Sequence, residues 1–202
     1  MLSLGTLPFI WKNSYLRIYP LLLFIVVAVE GYYSFFPVGN YVNPEVYNVQ
    51  VPLQYICYEL ILYYAATGKG LRMFSGVSVF IIVIFTIISN PYFSRIHQSN
   101  IWSYSICSIL SIAGILWKFY EMLKNPMEHN FLRNPFFYML FAFLIFNLGT
   151  LPYFSMANWL YTTKGYRNIY HMLESVTSFL NCLLYAVYSF AFIWIIRKKG
   201  TS

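Results

Sequence analysis

Aspartate is absent from this chain of 202 residues, and charge of either sign is scarce: 9% of residues are charged, against about 25% in an ordinary soluble domain. With 59% hydrophobic residues and a mean hydropathy of +0.59, that shortage excludes the soluble class. The six acidic residues are all glutamate, and 13 Lys and Arg outnumber them to give a formal charge of +7. Those basic residues stand in ones to threes at the edges of apolar runs. No basic stripe tracks a phosphate backbone, so nucleic acid is excluded as a partner.

Cysteine is equally sparse. Cys57, Cys107 and Cys182 sit within apolar segments without CxxC spacing, which argues against a disulfide framework or a zinc site and for helix packing. Catalytic and cofactor signatures are missing too. GxSxG, a P-loop and GxGxxG do not occur, and the GKG at 68–70 is a turn too short to cradle phosphate. A retinal pigment needs a lysine deep in a helix, and every lysine falls at an edge. Haem needs axial histidines inside the bundle, whereas His97 and His129 fall in links and His171 at an outer boundary. His171 and Glu174 lie one turn apart, but HxxE alone is a weak metal pattern, better read as a surface hydrogen bond. No cofactor, no metal and no catalytic residue are expected.

What is present is long apolar runs. A hydrocarbon core of about 30 Å takes roughly 17 to 25 apolar residues as a helix, because lipid tolerates only internally bonded backbone. Six stretches qualify, at approximately 18–36, 51–67, 71–89, 101–120, 135–157 and 171–196, joined by short polar or Pro/Gly-marked links. Runs such as LLLFIVVAV and FIIVIFTII do not alternate, which excludes a transmembrane β-barrel. The leading MLSLGTLPFIW has its apolar run before its charges and is too short to span, so it reads as a stub or surface segment, not a leader. No repeat or composition shift divides the chain. The fold class expected is all-α: one integral membrane bundle of about six transmembrane helices.

Charge orients it. Lys12, Arg17, Lys69, Arg72, Lys118, Lys124, Arg133, Arg197, Lys198 and Lys199 fall on one side, and Arg95, Lys164 and Arg167 on the other. Positive loops stay inside, so both termini are expected to be cytoplasmic, in a multi-pass inner-membrane protein. Tryptophan agrees: Trp11, Trp117 and Trp194 fall at inner edges, Trp102 and Trp159 at outer ones.

The polar exceptions define the candidate site. Glu174, Ser178, Asn181 and Tyr185 stand at i, i+4, i+7 and i+11 on the last helix, with His171 just above. Such a stripe is expected to face other helices or water, because an ionised side chain at the bilayer centre costs about 2.5–3.5 kcal/mol. Its threaded partners are Glu30, Gln54, Glu59 and Asn147, concentrated in the outer half. With no embedded Lys or Arg to pair three carboxylates, at least one is expected to be protonated or to hold a cationic guest. Glu30 could instead snorkel to the surface. Ser178, Asn181, Gln54 and Asn147 equally suit plain interhelical hydrogen bonds worth about 0.6 kcal/mol each. Tyr55, Tyr58, Tyr63 and Tyr64 crowd around Glu59, either lining a pocket or donating to its carboxylate. Ser103, Cys107, Ser111 and Gly114 form a small-residue ridge for close packing, and Pro152 should loosen or kink the fifth helix.

The segments YNVQVPLQYICYELILYY, SYSICSILSIAGILWKFYEML and NPFFYMLFAFLIFNLGTLPYF resemble those of small uncharacterised polytopic membrane proteins of Bacteroidota-type bacteria, over roughly residues 12–196. The resemblance rests on a Tyr-Asn start, a mid-helix Glu, a FYEL-like helix end and an Asn-Pro helix opening. It implies a sensory or accessory membrane protein, often associated with two-component regulators. Such relatives tend to carry one more helix at the front, so the start here is either misplaced or reflects a lost helix. The expected function is a non-enzymatic sensor that binds a small or lipidic ligand in an outward-facing polar pocket. Its loops are too small for an output domain, so it would signal through a membrane partner such as a sensor kinase, and a homo-oligomer stays open. The alternatives are a small transporter or channel subunit, with Glu59, Asn147 and Asn181 along a path, and a lipid-active intramembrane hydrolase using paired carboxylates.

Overall fold

The computed structural model describes residues 14–35, 44–95, 100–124, 134–163 and 166–199. The described residues are all-helical, without a strand. A 3-10 turn, Ser14–Arg17, leads into α1 (Ile18–Phe35), α2 (Pro44–Ala65), α3 (Lys69–Arg95), α4 (Ile101–Lys124), α5 (Pro135–Thr162) and α6 (Arg167–Lys199). Four of these carry stretches long and apolar enough to cross a membrane: Lys69–Tyr92, Ile101–Lys124, Pro135–Met156 and Asn168–Ile195. In α1 the apolar stretch is shorter, Ile18–Val29. In α2 the run is interrupted by Asn48, Gln50, Gln54 and Glu59. Trp11, Lys12, His97, His129, Arg133 and Lys164 lie outside the described residues, as do the side chains of Glu30, Arg95, Arg167, Lys198 and Lys199.

The helices outrun their apolar stretches. α2 begins at Pro44, inside a segment expected to be a link, because proline at the first helical position gives up an N–H that would have had no partner. α3 continues through Asn90 and Pro91 to Arg95. α5 opens at Pro135, where the Asn134 side chain caps it by accepting from Phe136 N at 3.1 Å, and it runs unbroken through Pro152. A hydrogen-bond ladder stops at caps, not where hydropathy falls.

Helix position follows polarity. α2, rich in amides, packs against α1, α3 and α4, and its phenols reach α5 and α6. α3 lies at the periphery, burying Leu71, Ser75, Ser78 and Ile82 while Met73, Val77, Phe80, Ile84, Ile87 and Ile88 are exposed. That outer face suits lipid, whereas an exposed α2 would leave amides and a carboxylate in hydrocarbon. Near the start of α1, Tyr19 meets Tyr188 and Phe192 edge-on at 5.5 and 6.1 Å, so the start of α1 and the end of α6 lie together.

Ser103, Cys107, Ser111 and Gly114 are all buried, as a packing ridge should be; a Cβ on Gly114 would stand 2.8 Å from Leu62 Cδ1. Cys57 is buried too, but Cys182 is exposed, off the buried face of α6, which corrects its reading as a packing residue. Lys118 falls toward a helix end, as expected of the lysines. It is buried there, with Glu121 at 3.8 Å. Glu121 closes the α2–α3 turn by accepting from Thr67 N at 3.1 Å, Thr67 Oγ1 at 2.9 Å and Gly68 N at 3.1 Å. A carboxylate at the N-terminus of α3 also complements the helix dipole.

α5 and α6 approach closely at Gly149, where an added Cβ would collide with Leu180 Cδ1. Gly149→Ile should therefore lower stability in detergent by about 1–3 kcal/mol through overpacking. Gly31→Ile, at a glycine with open space around it, should not. Thermal midpoints followed by tryptophan fluorescence check the pair.

Candidate functional site

The polar half of α2 does not close against its neighbours. Between it and α4, α5 and α6 lies a cavity of about 420 Å³, with Val26 of α1 at its edge. That volume falls in the usual range of small-molecule sites, roughly 300–1,000 Å³. Asn48, Gln50, Gln54, Asn100, Glu174 and Asn181 supply its polar lining, and Tyr55, Tyr58, Tyr104, Phe143 and Phe154 much of its aromatic wall.

One end of the cavity is knitted by asparagines. Asn48 Oδ1 accepts from Asn100 N at 2.7 Å, and Asn90 Nδ2 donates to Asn48 O at 3.3 Å. Asn100 Nδ2 donates to Ser89 Oγ at 2.7 Å and Asn90 Oδ1 at 3.0 Å. Asn100 also caps α4, its Oδ1 accepting from Ser103 N at 3.0 Å. The ends of α2, α3 and α4 are thereby joined without any charge.

The aromatic wall is held from behind. Tyr55 donates to Asn147 Oδ1 at 2.6 Å and stands 2.7 Å from Ser108 Oγ, while Asn147 Nδ2 donates to Phe143 O at 2.8 Å. Tyr104 pairs with Thr150 at 3.2 Å, and the Tyr188 hydroxyl donates to that of Tyr58 at 2.9 Å. Tyr58 stacks on Phe143 with centroids 3.5 Å apart, and Tyr104 on Phe154 at 3.9 Å. The phenols of Tyr55, Tyr58 and Tyr104 therefore have fixed orientations.

The expected site residues divide into several groups. Gln54, Glu174, Asn181 and Tyr185 line the cavity. Asn147 lies behind its wall, reached through Tyr55. Glu59 is not part of the lining. It is fully buried, with Oε1 accepting from Ser111 at 3.0 Å, Ser75 facing the same carboxylate, and Oε2 lacking a hydrogen-bond partner. His171 and Glu174 are exposed, bonded to each other at 3.2 Å. Ser178 is exposed as well, its hydroxyl returned to Glu174 O at 3.0 Å. The side chain of Glu30 lies outside the described residues.

The polar stripe of α6 is thus only partly turned inward. Its buried face runs through Thr177, Leu184, Tyr188, Ala191 and Phe192, so Asn181 and Tyr185 fall beside that face and Ser178 falls off it. Tyr64 is exposed and Tyr63 stacks edge-on against it, with Arg72 over the Tyr63 ring, so neither lines the cavity. Tyr55 and Tyr58 line it, yet their hydroxyls bond Asn147, Ser108 and Tyr188 and not Glu59, because helical side chains lean away from the following turn.

Sequence reasoning missed Asn48, Gln50 and Asn100, which it took as link residues or as a helix edge. It also missed Ser75, Ser78, Tyr104 and Ser108. The spacing of Ser75 and Ser78 on one face of a lipid-rich helix was the available signal. For Gln50 and Asn100 none existed before the helix ends were placed. No protein-family model, curated protein or solved structure matches the chain.

Tyr55→Phe should destabilise the bundle by about 1–3 kcal/mol, since it strands a buried amide oxygen on Asn147. Tyr188→Phe, which leaves the Tyr58 hydroxyl without its donor, should cost about 1 kcal/mol. Chemical unfolding in a mild detergent measures the order of the two.

Proposed function

We propose that this chain is a multi-pass inner-membrane sensory or accessory protein that binds a small or lipidic ligand in the α2–α4–α5–α6 cavity and passes its occupancy to a membrane partner such as a sensor kinase. One observation carries the reading. Gln50 lines the cavity, is only 4% exposed, and its Oε1 has no hydrogen-bond partner. An unmade bond at a buried amide costs about 1–3 kcal/mol, which a donor on a guest would recover. The locked phenols around it mean that little ordering remains to be done on binding. Tyr55 and Tyr104 are both cavity wall and interhelical ties, so a guest that shifts them alters how α2, α4 and α5 meet.

Orientation rests on charge. Arg17, Lys69, Arg72, Lys118, Lys124 and Arg197 stand at helix ends that alternate threading brings to one side, and that side is the cytoplasm by the positive-inside rule. The asparagine-knitted end of the cavity then faces outward. The links are too short for an output domain, which leaves output to a partner.

An organic extract of the protein purified from native membranes, analysed by mass spectrometry, is expected to contain a compound that Asn181→Trp, filling the cavity, releases. No enrichment over an unrelated membrane protein would refute the reading. A small transporter is the second reading, favoured by Glu59, a fully buried carboxylate that faces Ser75 and whose Oε2 has no hydrogen-bond partner, leaving an oxygen suited to a passing cation. In that case Glu59→Gln abolishes ion flux into liposomes that the wild type supports; equal flux in both excludes it.

A further inference from the structure

Charge in the cavity lining has one sign. Among the described residues that form it, Glu174 is the only one with a full charge, and no Lys, Arg or His takes part. Nine of the lining residues are aromatic, and the face of an aromatic ring is the negative end of its quadrupole. The phenol proton of Tyr55 is committed to Asn147, so its ring and oxygen are what remain for a guest. Gln50 offers an unpaired amide oxygen, an acceptor. His171 engages Glu174 through Oε2 at 3.2 Å, which leaves Oε1 for another partner.

Carboxylate, ring faces and carbonyl oxygen all present negative charge density to the same cavity. An anionic guest would meet no Lys or Arg in the lining and would be repelled by Glu174, while a neutral guest would leave Glu174 Oε1 without a partner from the cavity. An apolar-walled cleft with one sign of charge also concentrates the opposite sign. We infer that the guest is an organic ammonium compound that carries a hydrogen-bond donor beside its charged nitrogen, the cation lying against the aromatic wall near Glu174 and the donor reaching Gln50 Oε1. The inference deepens the cavity reading above and depends on it. The same chemistry is found on a free amine and on a lipid headgroup.

Choline and 3,3-dimethylbutan-1-ol share shape and hydroxyl and differ in charge alone, so they isolate the claim. Isothermal titration of the whole protein in maltoside micelles should show choline binding roughly tenfold tighter or more than its neutral isostere. Glu174→Gln should remove most of that preference while leaving the ligand-free thermal midpoint unchanged, since Glu174 is exposed. Gln50→Leu should weaken both compounds together. A third arm compares ethanolamine with dibutyroyl phosphatidylethanolamine below its micellar concentration, both of which keep N–H donors on the charged nitrogen, and separates the sources: tighter binding of the phospholipid assigns a lipid headgroup, weaker binding assigns a soluble amine, and both support the ammonium. Equal binding of choline and the isostere overturns the inference and leaves the cavity reading standing. No binding of choline at millimolar concentration also overturns it, and the extract experiment then judges the cavity reading separately.

Discussion

The Tyr55 hydroxyl, shared between Asn147 on α5 and Ser108 on α4, is the interaction on which the interior depends. Inside a bundle with few charges, a buried polar group on α2 gains most from a partner on a neighbouring helix. Tyr55 has such partners on two neighbours at once. In doing so it fixes the azimuth of α2 and sets Tyr58 against Phe143 and Tyr104 against Phe154.

From that constraint the cavity follows. Once α2 is rotated to satisfy Tyr55, its earlier turns carry Gln50 and Gln54 toward α6, whose inward face offers Asn181 and Tyr185. Apolar side chains there would interdigitate and close the gap. The phenols of Tyr55, Tyr58 and Tyr104, held by bonds to other helices, do not, so the space stays open and keeps a polar lining. At the opposite end the same logic gives a different result, because Glu121 finds three donors in the α2–α3 turn and the structure closes over Lys118.

Much of the helical plan was readable from hydropathy, since α3 to α6 begin or end near their apolar stretches and α5 starts at its Asn-Pro signal. The start of α2 was not, because hydropathy records where lipid begins and not where a hydrogen-bond ladder ends. At the site, the periodicity that put Glu174, Ser178, Asn181 and Tyr185 on one stripe was correct as geometry. It could not tell which edge of that stripe turns inward, and the neighbours chose Asn181 and Tyr185 over Ser178.

The order of residues alone determined the class: a helical, charge-poor chain with membrane-length apolar stretches, because length and hydropathy act segment by segment. Which polar groups meet was decided only when the helices packed, since Tyr55 and Asn147 are 92 residues apart and their bond depends on the rotation of two helices at once. Glu59 shows the difference most plainly. Its presence in an apolar helix marked it as unusual, but only packing separated it from the cavity and gave it Ser111 and Ser75 as companions.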